Sequence, residues 1–165
     1  MKVLVRMALL SMLLTAVPAF AQMDWSAVGS TGVPDEASAG LFDFNLAQFA
    51  FRPPATGLIT ARYQVTNTFG AGITKMPPWN VMLMSYADNG PGAAVRARLF
   101  RLNVCTRQPQ LICEIRSNDN GSCDKCAIAA FALPIDFANF VYYVEVDLSK
   151  AALADFPALY HLAIN

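Results

Sequence analysis

One histidine, His161, is all that this chain of 165 residues carries. Histidine is the side chain whose charge ordinarily changes near neutral pH. This one sits in Leu159-Tyr-His-Leu-Ala-Ile164 with no acid or nucleophile beside it. No G-x-S-x-G elbow supports a serine hydrolase, although a Ser-His-Asp set brought together only by folding stays open, because its members need not be neighbours in sequence. A glycine-rich phosphate loop and a dinucleotide fingerprint are also missing, as are repeats and low-complexity tails. No catalytic residue, metal or cofactor is assigned.

A charge excess of either sign is lacking too. The formal net charge is zero. Nucleic acids and anionic membranes reward a clear basic excess, so neither is expected as a partner.

Long apolar runs are confined to the start, MKVLVRMALLSMLLTAVPAFAQ. Lys2 and Arg6 form a positive region, Met7 to Val17 is apolar apart from Ser11 and Thr15, and Ala19-Phe-Ala21 offers small residues where a signal peptidase reads. The run is shorter than the roughly 20 residues that span a bilayer. Residues 1–21 therefore read as a cleaved secretory signal of bacterial form. The product would be secreted or periplasmic, start near Gln22 and have no membrane span. It would carry 10 basic and 12 acidic residues, a net charge of −2. Its length of about 144 residues suits one domain that buries roughly two-thirds of its unfolded surface.

What the mature chain has in abundance is alternation. In 57–67, Ile59, Ala61, Tyr63 and Val65 fall on one face, with Thr60, Arg62, Gln64 and Thr66 on the other. In 140–148, Tyr142, Val144, Val146 and Leu148 oppose Tyr143, Glu145 and Asp147. This period of two marks half-buried strands. Further strand-like runs lie at about 41–51, 79–87, 94–105, 110–117, 126–133 and 158–164. Proline, glycine and asparagine turns punctuate them. The fold class expected is all-β, an antiparallel β-sandwich of jelly-roll-like form with about eight strands, in one domain over 41–165. Residues 22–40 read as a flexible lead-in. Ser149 to Asp155, with Ser149 as N-cap and Pro157 beyond, suggests a helical turn.

Only four cysteines are present: Cys105, Cys113, Cys123 and Cys126. An exported protein meets an oxidising compartment, so all four are expected in disulfides. Three pairings are possible, with the local one, Cys105 to Cys113 and Cys123 to Cys126, preferred. A zinc site would use Cys-x2-Cys as one half, but the other half is spaced by seven residues. A redox pair would need a helix N-terminus. Asn118, Asn120, Ser122 and Asp124 alternate as calcium ligands do, without the glycine and distant glutamate of an EF-hand loop. Met76, Met82 and Met84 with His161 offer soft ligands for Cu(I), or simply core filling. Were the chain eukaryotic, Asn120-Gly-Ser122 would be a glycosylation sequon.

Two stretches point toward binding. Trp79 and Tyr86 bracket a run apolar on both faces, which suits a covered central strand or a patch for a sugar or partner. Arg96, Arg98, Arg101, Arg107 and Arg116 meet only Glu114 between positions 89 and 118, and Arg96 and Arg98 share a strand face able to meet an anion. Trp79, Tyr86, Arg96 and Arg98 are thus the candidate ligand-binding residues. The expected function is a binding or structural module at the cell surface or in the periplasm, with a glycan or surface protein as partner. The alternatives are an exported hydrolase, acting for example on carbohydrate, that draws on Asp43, Asp88, Glu114, Asp119, Asp124, Asp136, Glu145, Asp147 or Asp155, or a subunit of a surface assembly.

Overall fold

A computed structural model describes residues 24–68, 76–117 and 125–165. Residues 1–21, read as a secretory signal, and the stretch with Cys123 and the alternating residues Asn118 to Asp124 lie outside the described residues. Among the described residues, eleven strands form two antiparallel sheets: β1 (Trp25–Val28), β2 (Val33–Pro34), β3 (Phe42–Asn45), β4 (Gln48–Phe51), β5 (Gly57–Val65), β6 (Val81–Asn89), β7 (Ala93–Asn103), β8 (Pro109–Arg116), β9 (Lys125–Ala130), β10 (Phe140–Lys150) and β11 (Phe156–Ile164).

One sheet runs β3-β4-β11-β6-β9 with β1 added beside β11, and the other runs β2-β5-β10-β7-β8. Eight of these strands pair from the outside of the chain inward: β4 with β11, β5 with β10, β6 with β9 and β7 with β8. That is a long hairpin wound around itself, the jelly roll. The eight strands match the eight strand-like runs read from the sequence; β3 shares its run with β4, and β1 and β2 are additions.

Period-2 patterning builds the core directly. Ile59, Ala61, Tyr63 and Val65 from β5, Val95, Ala97 and Leu99 from β7, and Tyr142, Val144, Val146 and Leu148 from β10 turn inward. They meet Met82, Met84 and Tyr86 of β6 and Leu159, Leu162 and Ile164 of β11. The opposite positions of each strand are thereby committed to the outer faces, which is what makes a functional surface readable strand by strand.

Three local expectations change. The run 41–51 is not one strand but the β3–β4 hairpin, turning at Leu46, whose φ is +52° and which is 95% exposed. The helical turn at 149–155 does not form. Ser149 belongs to β10, opposite Leu58 and Ala94, and the turn after it is closed by the buried Asp155, whose carboxylate accepts from the backbone N–H groups of Gly92 and Ala152. Within residues 22–40, read as a lead-in, Trp25–Val28 and Val33–Pro34 are built into the two sheets: β1 pairs with β11 and β2 with β5. Trp25 is buried in the core, and the Tyr63 hydroxyl donates to the Gly29 carbonyl at 2.6 Å. Burial raises the pKa of that phenol well above its ordinary value, which keeps it a donor. Gly29 is confined as well, since a Cβ there would lie 2.2 Å from the Leu159 carbonyl oxygen.

Candidate binding face

The outer face of the five-stranded sheet carries the charged residues that alternation turned away from the core. Register sets Glu145 of β10 between Arg62 of β5 and Arg98 of β7, and Asp147 between Thr60 and Arg96. Glu145 accepts from Arg62 Nε at 2.8 Å and from Arg98 Nη2 at 2.7 Å. Asp147, only 6% exposed, accepts from Thr60 Oγ1 at 2.8 Å, from Arg96 Nε at 3.1 Å and Nη2, and from Arg98 Nη2 at 2.7 Å. On β8, Arg116 Nε donates to Glu114. The bond to Glu145 raises the pKa of Arg62, and the bond to Asp147 that of Arg96. The result is a lattice of pre-oriented donors and acceptors across four strands.

Beside the lattice lie two aromatic rings. Tyr143 of β10 and Phe100 of β7 are register partners whose rings stack at 5.2 Å with 17° between planes. The Arg98 guanidinium sits 5.7 Å from the Phe100 centroid, within cation–π reach. Burial first, then the Glu145 carboxylate, raises the pKa of the Tyr143 phenol, partly offset by Arg62 and Arg98; its hydroxyl remains a donor. Exposed Val141 and Leu111 extend the apolar patch, Leu111 opposite Phe100.

Of the four candidate ligand-binding residues, the structure brings Arg96 and Arg98 together on this face and removes the other two from it. Trp79 and Tyr86 are 1% and 2% exposed, so neither can touch a ligand. Trp79 packs edge-on against Phe137 at 6.0 Å. Tyr86 turns inward with Met82 and Met84, since β6 has one buried face and one open one. Sequence reasoning did not bring Tyr143 and Phe100 together. The cue was the outward position of Tyr143 in its alternating run, but its partner is 43 residues away in the chain and becomes a neighbour only through the β7–β10 register.

The cysteines also depart from expectation. Cys113 pairs with Leu99 in the β7–β8 ladder while Cys105 lies beyond the end of β7, six residues further on. At about 3.3 Å per residue that is far outside the ~7 Å Cα separation a disulfide tolerates. Cys113 packs against the core whereas Cys126, opposite Ser85, points outward from the other sheet. Cys105, Cys113 and Cys126 are free thiols, so the preferred Cys105–Cys113 bridge is not formed, and nothing gathers these three around a metal. Burial pushes the Cys113 thiol up to about 11. Because the thiolate is the reacting species, iodoacetamide at pH 8 should label Cys105 and Cys126 at least tenfold faster than Cys113, as read by peptide mass spectrometry; equal rates would show Cys113 to be open.

The copper reading fails on side: Met82 and Met84 are buried inside the sandwich, while His161 pairs with Ser85 and Val28 on the opposite side of the sheet. His161 borders a hollow of about 580 Å³ with Arg62, Tyr63 and Gln64, and no carboxylate lines it. The described acids among the hydrolase candidates are engaged elsewhere: Asp43 with Arg52, Asp136 with Asn139 and its own turn, Asp155 with the β10–β11 turn, and Glu114, Glu145 and Asp147 in the lattice. Asp88 is wholly buried.

No protein-family model and no curated protein matches the chain. Among solved structures it is similar to a chain titled "xylan-binding module CBM15", at 12% identity over 87% of this chain and 96% of that one, with a TM-score of 0.49. It is also similar to chains from structures of infectious bursal disease virus, Gt and Gx strains, at 12% and 10% identity with TM-scores of 0.36 and 0.34. It spans about a third of those viral chains, 32% and 31%. Among the described residues, no helix is long and apolar enough to cross a membrane.

Proposed function

We propose that this chain is an exported, non-catalytic binding module that takes an extended glycan along the outer face of its five-stranded sheet, at the cell surface or in the periplasm. The observation that carries the reading is the Phe100–Tyr143 stack held beside the arginine–carboxylate lattice. Sugar rings combine an apolar C–H face with a rim of hydroxyls. An aromatic ring supplies the flat apolar partner, and a lattice of charged side chains already tied in place supplies hydrogen bonds with little ordering cost. The signal-like residues 1–21 supply the export part of the reading.

The test is affinity electrophoresis and titration calorimetry of the full mature chain against a panel of soluble polysaccharides, beside Tyr143→Ala and Phe100→Ala. At least one polysaccharide should bind, and each variant should weaken it about tenfold, the equivalent of ~1.4 kcal/mol, while keeping the wild-type fold. Binding unchanged in both folded variants would overturn the assignment of the face; turnover of a polysaccharide in the same panel would favour the hydrolase alternative.

One observation favours a second reading, a subunit of a surface assembly. The outward positions of β9, β6, β11 and β1, among them Cys126, Ile128, Leu83, Ser85, Ala163 and Val28, carry no charge, and Ile128 is 67% exposed. Failure of every polysaccharide, together with a size that grows with concentration, would support it.

A further inference from the structure

Arg96 and Arg116 stand directly opposite each other across β7 and β8, a placement in which like charges ordinarily repel. Each is tethered on one side only. Arg96 commits Nε and Nη2 to Asp147, and Arg116 commits Nε to Glu114. A guanidinium carries five N–H donors, so these bonds leave further donors on both residues. A depression of about 350 Å³ opens between them, lined also by Leu58, Ala94, Ser117 and Ser149 and by Asp147, whose carboxylate is tied to Arg96. The Ser117 oxygen accepts from the Val95 N–H at 3.0 Å, which leaves its proton to donate. On this face Arg62, Arg96, Arg98 and Arg116 meet Glu114, Glu145 and Asp147, with Asp35 acting on Arg62 from the β2 edge, so the pull of the depression on an anion comes from its N–H donors and not from a net charge.

Resting on the glycan reading above, we propose that this depression seats an anionic substituent of the bound polysaccharide, a carboxylate or a sulfate ester, between Arg96 and Arg116. Two guanidiniums facing one cavity present paired N–H donors that match a pair of oxygens on such groups, and the two serine hydroxyls complete the shell. Phe100 lies four residues along β7 from Arg96, about 13 Å at the rise of a strand. A polymer with one sugar on the Tyr143–Phe100 rings thus places a substituent a few units away in the seat. The ligand class is an acidic polysaccharide.

The experiment titrates wild type, Arg116→Gln and Tyr143→Ala against polygalacturonate, its fully methyl-esterified form, dextran sulfate and dextran, each at 50 and 300 mM NaCl. Arg116 is 69% exposed at its side chain, so the substitution should leave the fold intact, and the melting temperature verifies this. An acidic polymer should bind at least tenfold better than its neutral counterpart. Arg116→Gln should abolish most of that preference and its salt dependence while weakening neutral binding far less than Tyr143→Ala does, whereas Tyr143→Ala should weaken acidic and neutral binding alike. The polygalacturonate and dextran sulfate arms separate carboxylate from sulfate. An unchanged acidic preference in folded Arg116→Gln, with Tyr143→Ala still impaired, would overturn the anion seat and leave the glycan reading standing; indifference of both variants would overturn both.

Discussion

Asp147→Ala should unfold about 10 °C below the wild type in a thermal melt, a loss of about 3 kcal/mol. The carboxylate is nearly buried and is the hub of the lattice, accepting from Thr60, Arg96 and Arg98 at once. Its removal leaves Arg98, whose side chain is 23% exposed, with one anionic partner in place of two, and the Thr60 hydroxyl with none. Arg98 is the more sensitive because its Nε is already buried without an acceptor. The comparison that isolates the cause is Glu114→Ala. That ion pair lies at the exposed rim of the same face, where such pairs are worth about 0–1 kcal/mol, so its melt should barely move. Equal shifts in the two variants would mean that the lattice is not organised around Asp147.

Trp79→Ala should be at least as damaging, costing about 3–5 kcal/mol, because it empties a fully enclosed site. Trp79→Phe is the informative companion. The indole N–H of Trp79 is buried with no acceptor among the described residues, a state that costs about 1–3 kcal/mol in a protein interior. Phenylalanine discards that donor while keeping most of the ring against Phe137, so the lost volume and the relieved N–H offset each other and the melt should fall by much less than in the alanine variant. Similar losses for Phe and Ala would show that the N–H has a partner after all.

The parts of the fold that could be read in advance are those governed by a period of two. Runs such as 57–67 and 140–148 announce their buried faces because every second residue meets the same neighbour layer. Other elements depend on distant residues. β1 and β2 are short, and their segment, with Ser30, Thr31 and Gly32, looks like a linker. It is held by Trp25 entering the core and by Tyr63 reaching the Gly29 carbonyl, contacts that no local pattern encodes. The β3–β4 turn hides behind Leu46, an apolar residue in a left-handed conformation where glycine or asparagine would have been expected. Aromatic residues misled at Trp79 and Tyr86 because a flat apolar side chain serves equally well in a core and on a binding surface. The candidate face was half legible. Arg96, Arg98, Glu145 and Asp147 stand out as outward residues, but only the register of β10 between β5 and β7 turns separate arginines and acids into one lattice.

The β1–β11 pairing bears on how the module would respond to force. Trp25 lies opposite Ile164, so the first and last described strands leave the sandwich from the same corner. Their ladder bonds lie across the strands, and tension applied through the two ends would pull along those bonds and open them one at a time from Trp25 and Ile164 inward. A ladder loaded lengthwise must break many bonds together; one opened from its end does not. Strung between two anchors, this domain would give way at low load by peeling off β1, and tethered by one end alone it would keep the whole sandwich out of the line of tension.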